Sequence, residues 1–161
     1  MMKILHIITG LGTGGAETML LKLVKESSGR PESHVVVSLM DEGTRGQEVK
    51  KHASLYCLGL GQGRFSMFAL IRLFRIVKKE TPDVLQGWMY HANLAAFFVS
   101  LFVKKPMYWN IRHSLSDASQ EKKLTRLIIK LTALLSKHTK AILFNSKSFF
   151  IIDTFWRNNC S

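Results

Sequence analysis

Residues 3–17, KILHIITGLGTGGAE, constrain the fold more than any other stretch of the chain. Ile4, Leu5, Ile7 and Ile8 leave no clean alternation of polar and apolar positions, which suits a strand covered on both faces. The strand, read over 3–9, runs directly into Gly10, Gly12, Gly14 and Gly15. Met19, Leu20, Leu23 and Val24 then recur at helical spacing over 16–26. A strand, a glycine turn and a helix in this order bring bare backbone close to a ligand, commonly a phosphate or a sugar.

The same alternation continues along the chain. Strands are expected at 34–39, 54–58, 83–86, 107–111 and 140–144, with helices at 45–52, 65–79, 93–103 and 119–137 between them. The helix at 65–79 is read with Phe65, Phe68, Ile71, Phe74 and Val77 as its apolar stripe. The helix at 119–137 is read with Leu124, Leu127, Ile128, Leu131, Leu134 and Leu135. Strand and helix in turn imply an α/β fold, a Rossmann-like open parallel sheet with helices on both faces. Ligands of such sheets gather at the carboxyl ends of the strands. Three segments fall there: the glycine turn, residues 87–91 and residues 112–114.

A length of 161 residues is one domain's worth. Two cysteines, Cys57 and Cys160, make no disulfide framework, and a reducing cytoplasm is the expected compartment. The opening residues lack a signal-peptide cleavage pattern. The longest apolar block, 94–103, falls short of the roughly 20 residues that a bilayer span takes. The net charge of +12 is uneven: residues 64–137 hold thirteen basic and four acidic side chains. Arg72, Arg75 and Lys79 form one basic ridge, and Lys122, Arg126 and Lys130 another. They are read either as solvated helix faces with snorkelling stems or as contacts to an anionic membrane surface. Nucleic acid is not expected, because no aromatic residues interleave with these charges as a stacking platform requires.

Gly10, Gly12 and Gly15 formally satisfy the dinucleotide pattern, with Asp41 or Glu42 as the ribose acid, later than the usual spacing. The extra Gly14 does not suit that reading. Nor does Glu17, whose carboxylate in the first helical turn competes with a pyrophosphate for the positive helix end. Trp88, Tyr90 and His91 could stack on sugar rings and bond hydroxyls, or could fill the core; Trp88 is read first as packing. His113, between Arg112 and Ser114 at a strand end, could bond or exchange a proton with a sugar hydroxyl, or be a loop histidine bonded to backbone. His91 and His113 have no Cys or carboxylate to complete a metal site.

Residues 3–18 resemble the opening of family 4 glycosyltransferases, with Gly14-Gly15-Ala16-Glu17 matching the family's Gly-Gly-Ala-Glu turn. Residues 87–93 (GWMYHAN) resemble the segment after the family's fourth strand, 110–114 (NIRHS) its fifth-strand end, and Asn145-Ser146 the element opening its last helix before the linker. The resemblance implies a retaining enzyme of GT-B fold acting in cell-surface polysaccharide or lipid-linked glycan assembly. It implies a nucleotide-sugar co-substrate, no tightly bound cofactor and no metal. It puts Gly12, Gly14, Gly15 and Glu17 near the donor phosphates, and Trp88, Tyr90, His91, Arg112 and Ser114 at the acceptor. His113 is then the candidate catalytic group.

On this resemblance residues 1–148 are the acceptor-side, N-terminal domain, and 149–161 are an atypical tail. The donor-binding C-terminal domain is expected to be missing, through a truncated or frameshifted frame or because that half is encoded separately. The isolated chain is then expected to fold without turning over. Its expected place is cytoplasmic, peripheral on the inner face of the membrane. Two other readings stay open: a non-catalytic module docking on a separate half or on anionic membrane, and half of a nicotinamide-dependent oxidoreductase.

Overall fold

The computed structural model describes residues 2–61, 66–111, 127 and 131–144. Six strands make one parallel sheet: β1 (Lys3–Ile8), β2 (Ser33–Ser38), β3 (Ser54–Cys57), β4 (Val84–Trp88), β5 (Met107–Ile111) and β6 (Ala141–Phe144). Their order is β3-β2-β1-β4-β5-β6. Helices α1 (Gly15–Glu26), α2 (Gly46–Val49), α3 (Met67–Glu80) and α4 (Tyr90–Val103) connect them. Residues 131–135 are helical and lead through a 3-10 turn, Ser136–His138, into β6.

Both faces of the sheet are covered, as the unbroken apolar strands require. Leu5, Ile7, Val35, Val37, Leu85, Met107 and Trp109 pack with α3 and α4. Ile8, Val36 and Trp88 pack with α1 and α2 on the other face. Period-two alternation in β1 and β2 therefore divides one apolar run between two cores.

The structure corrects several boundaries and two stripes. β4 extends to Trp88, which pairs with Ile8 of β1, and α4 begins at Tyr90 with no loop between. The reversal falls on Met89, whose φ of 74° and ψ of 163° are rare outside glycine. α3 does not use the expected stripe: Ala69, Leu73, Ile76 and Val77 face the core. Of the expected set Phe68 and Ile71 are exposed, Phe74 is half-buried, Val77 alone is buried, and Phe65 lies outside the described residues. The helix is apolar on two sides, so periodicity alone could not decide which side faces inward. In the last expected helix, Leu127, Leu131 and Leu134 are exposed, whereas Thr132 is buried and Leu135 packs on the core. Leu124 and Ile128 lie outside the described residues.

Candidate functional site

The strand order reverses between β1 and β4, and the carboxyl ends of these two strands flank a crevice of the kind in which open parallel sheets bind ligands. The glycine turn follows β1 on one side, and the β4–α4 junction lies on the other. β5 ends beside β4, with Asn110 registered against Trp88. Arg112, His113 and Ser114 follow Ile111 in the chain and lie outside the described residues, as do Lys122, Arg126, Lys130 and Asn145-Ser146.

The turn is open where a ligand would approach and braced from behind. A side chain at Gly12 or Gly15 would meet nothing within 4 Å. At Gly14 the space is taken by the Glu17 side chain, whose Cδ lies 3.2 Å from where a Cβ would stand. The carboxylate thus folds back over the first turn of α1, where the helix dipole favours negative charge. Thr18 holds the Gly14 carbonyl twice, through its N–H at 3.1 Å and its hydroxyl at 2.7 Å.

The brace is the loop after β2. Gly43 has φ of +50°, and a Cβ there would lie 2.6 Å from the Leu11 carbonyl carbon and 3.1 Å from the Gly12 nitrogen. Backbone meets backbone, which only glycine allows. The Arg45 N–H donates to the Leu11 carbonyl at 3.0 Å. The sequence reading placed Arg45 in a surface helix and missed this approach. Its position shortly after the end of β2 was the available signal. The Arg45 Nε and the Thr9 hydroxyl, just past β1, are buried and among the described residues have no hydrogen-bond partner. Nothing in the sequence distinguished Thr9.

The two acids weighed for a ribose are engaged locally. Asp41 accepts the Gly43 N–H at 3.1 Å, and Glu42 pairs with Lys50 and accepts from Gln47. The hydrogen bond and charge of Lys50 hold the Glu42 carboxyl below its ordinary range.

Trp88, Tyr90 and His91 do not form one surface. The Trp88 ring is buried among Ile8, Leu20 and Val36 on the α1 face, as its packing reading expected. It presents no face to a ligand here. Tyr90 is buried as well. His91 is half-buried on the other face, beside a small cavity of about 30 Å³ bounded by Leu39, Leu58, Leu60, Leu70 and Leu94.

Behind Trp88 runs a chain of buried rings. Trp88 Nε1–H donates to His6 Nδ1 at 3.3 Å, and His6 Nε2 lies 2.9 Å from His34 Nδ1. Indole can only donate, so a neutral His6 carries its proton on Nε2 and donates it to His34. Both imidazoles are buried and their rings stack at 5.2 Å. Burial, reinforced by the neighbouring His34, lowers the His6 pKa from 6.5 to about 3. Burial lowers that of His34 as well.

Among the described residues no group of three or more His, Cys, Asp or Glu side chains could hold a metal ion. Nor, among them, is any helix long and apolar enough to cross a membrane.

A parallel six-stranded sheet with a glycine turn at its switch point defines a Rossmann-like domain, of the kind that forms the N-terminal half of GT-B glycosyltransferases. The chain belongs to glycosyltransferase family 4, whose family model matches residues 13–149. Among solved structures it is similar to Anabaena Alr3699/HepE in complex with UDP, with a TM-score of 0.67 and 17% identity over 91% of this chain and 38% of that one. It is similar to Acinetobacter baumannii MurG, with a TM-score of 0.60 and 12% identity over 89% and 41%. It is also similar to S. aureus MnaA bound to UDP, with a TM-score of 0.56 and 15% identity over 81% and 37%. The chain thus spans less than half the length of each. No match was found among curated proteins.

Proposed function

We propose that this chain is the acceptor-side domain of a retaining glycosyltransferase that moves a hexosyl group from a nucleotide-sugar to a glycan or lipid-linked acceptor in cell-surface polysaccharide assembly. The observation that carries this reading is the open, braced glycine turn at the sheet's switch point in a family 4 chain. The turn offers backbone N–H groups at Gly12, Gly14 and Gly15 and the amino end of α1 to the donor phosphates. Two of the proteins it resembles are seen with UDP, which supports a uridine nucleotide-sugar. His91, Tyr90, Arg112 and Ser114 serve the acceptor side. His113 is the candidate catalytic group. Trp88 acts from the core by positioning the junction that carries Tyr90 and His91. The donor is held mainly by a second domain, since the chain spans only 38% of the HepE structure. The acceptor end works at an anionic membrane surface in the cytoplasm.

The reading is tested by titrating ¹⁵N-labelled protein with UDP-glucose and, separately, with a nicotinamide dinucleotide. Weak binding with shift changes concentrated at residues 10–17 is expected for the first and none for the second. A response to the dinucleotide alone overturns the assignment. Glu17→Gln removes the carboxylate that occupies the same helix end, and is expected to tighten UDP binding about two- to five-fold, on the scale of one helix-end charge. Unchanged affinity would show that Glu17 only caps α1. Sugar transfer by purified residues 1–161 is expected to be undetectable; turnover by this chain alone would remove the need for a donor half.

A further inference from the structure

The two-sided apolar character of α3 leaves a surface that the core does not use. Met67, Leu70, Ile71 and Phe74 of α3 face Phe98, Val99 and Phe102 of α4 across a groove of about 360 Å³ with almost wholly carbon walls. The Phe74 and Phe102 rings meet edge to face at 5.7 Å across it. Its lips stand in solvent: Met67 is 66% exposed, Phe102 73%, and Phe68, one position along α3, 84%. Large apolar side chains in a contiguous exposed patch mark an interaction surface.

The free charges of these two helices and of the turn after α4 have one sign. Arg72, Arg75 and Lys78 on α3, and Lys104 and Lys105 after α4, are all exposed. Among the described residues none of the five is in an ion pair, and the Lys78 ammonium sits 5.0 Å over the Phe74 ring. The only acids between residues 66 and 105 are Glu80 and Asp83. Glu80 is taken by Lys3 and Tyr56, and Asp83 by the Lys3 N–H. Lys79, expected with Arg72 and Arg75, turns away toward Tyr56 and leaves the ridge.

A protein partner would face five like charges, and among the described residues of these two helices no unpaired acid fixes its register. An anionic bilayer matches both elements: acyl chains receive the phenylalanine lips, and headgroups receive the cations. We infer that the α3–α4 groove is a membrane-docking wedge, which inserts Phe68 and Phe102 below the headgroups of an anionic bilayer while Arg72, Arg75, Lys78, Lys104 and Lys105 hold the phosphates. This inference identifies the surface that meets the membrane in the reading above and rests on that reading only for the purpose of docking.

The test is co-sedimentation with vesicles of phosphatidylcholine alone and with one-third phosphatidylglycerol, at low and at 0.5 M salt. Binding to the anionic vesicles at least ten-fold tighter than to neutral ones, and weakened by salt, is expected. Phe68→Ser with Phe102→Ser should reduce partitioning at least ten-fold while far-UV circular dichroism stays unchanged and the thermal midpoint falls by only a few degrees, because both side chains are mostly exposed. Arg72→Gln, Arg75→Gln and Lys78→Gln together should abolish the preference for anionic lipid. Equal binding to neutral vesicles, or full binding by the serine variant, overturns the proposal. So does a dimer in sedimentation velocity that the serine changes dissolve in a chain that ignores vesicles. Vesicle binding without any UDP response at residues 10–17 would sink the transferase reading and leave the wedge standing; a UDP response without vesicle binding would do the reverse.

Discussion

Lowering the pH from 6.5 to 4.5 is expected to remove about 2 kcal/mol of folding stability through His6 alone, the slope steepening to about 1.4 kcal/mol per unit once the unfolded-state His6 is protonated. In the unfolded chain His6 takes up a proton near its ordinary 6.5, whereas in the fold it resists protonation until about 3. Between these values the unfolded state binds more protons, so stability is complete above pH 6.5 and falls as the pH drops toward 3. His34, lowered in the same direction, adds to the slope. Glu80, whose carboxyl is depressed by the Tyr56 hydroxyl and by Lys3, loses its contribution only below its ordinary 4.5. The window from 6.5 to 4.5 therefore isolates the histidines. Urea denaturation at closely spaced pH values measures the slope. His6→Gln can still accept from Trp88 and donate to His34 but cannot ionise, so the variant should keep only the shallower slope that His34 contributes across the window. An equally steep slope in that variant would place the acid sensitivity elsewhere.

How much of this could be read from the residues depends on what periodicity can see. β1, the glycine turn and β5 were legible, because an apolar strand running into glycine has few other structures open to it. The sheet's order follows from strand–helix alternation and short crossovers, and the crevice from the order. The α3 stripe was not legible: with apolar residues on two sides, spacing identifies both sides equally and says nothing of which is buried. The largest side chains, usually the surest core markers, were the ones left outside, because the core at α3 is closely filled by Ala69, Leu73, Ile76 and Val77. The same misreading concealed the groove. The His6–His34 pair was beyond reach for another reason, since two histidines 28 residues apart become neighbours only through the β1–β2 register. Arg45 reached the glycine turn through Gly43, by a backbone contact that leaves no mark in composition. At the crevice the glycine turn and the end of β4 stand on either side of the switch point, whereas Trp88 and His91, grouped from the sequence, face opposite sides of the sheet.

Gly87→Ala is expected to cost about 3 kcal/mol, at the upper end of what overpacking a filled core costs. Gly87 lies in the middle of the sheet, paired with Ile7 on one side and Trp109 on the other. α4 turns back so closely that a Cβ at Gly87 would stand 2.8 Å from the Asn93 Cα and 3.1 Å from its nitrogen. The obstruction is backbone in the first turn of a buried helix, so no rotamer change relieves it. The chain can fit the methyl group only by lifting the amino end of α4, which carries Tyr90 and His91. That approach is closed at its other end by Met89, held in a conformation that costs about 1–3 kcal/mol for a residue with a side chain. Met89→Gly relieves that strain but removes a side chain that packs on the α1-face core and adds unfolded-state freedom, so its stability should stay within roughly 1 kcal/mol of the wild type. Asn93→Ala should rescue little of the Gly87→Ala loss, because it removes the side-chain overlap and leaves the backbone overlap in place. Chemical denaturation of the three single variants and of the Gly87→Ala, Asn93→Ala double variant measures each term. Near-complete rescue in the double variant would mean that the Asn93 amide alone sets the approach. If the wild-type response at residues 10–17 survives Gly87→Ala while shifts at His91 move, the two walls of the crevice are built independently, one on β1 and the other on the β4–α4 junction.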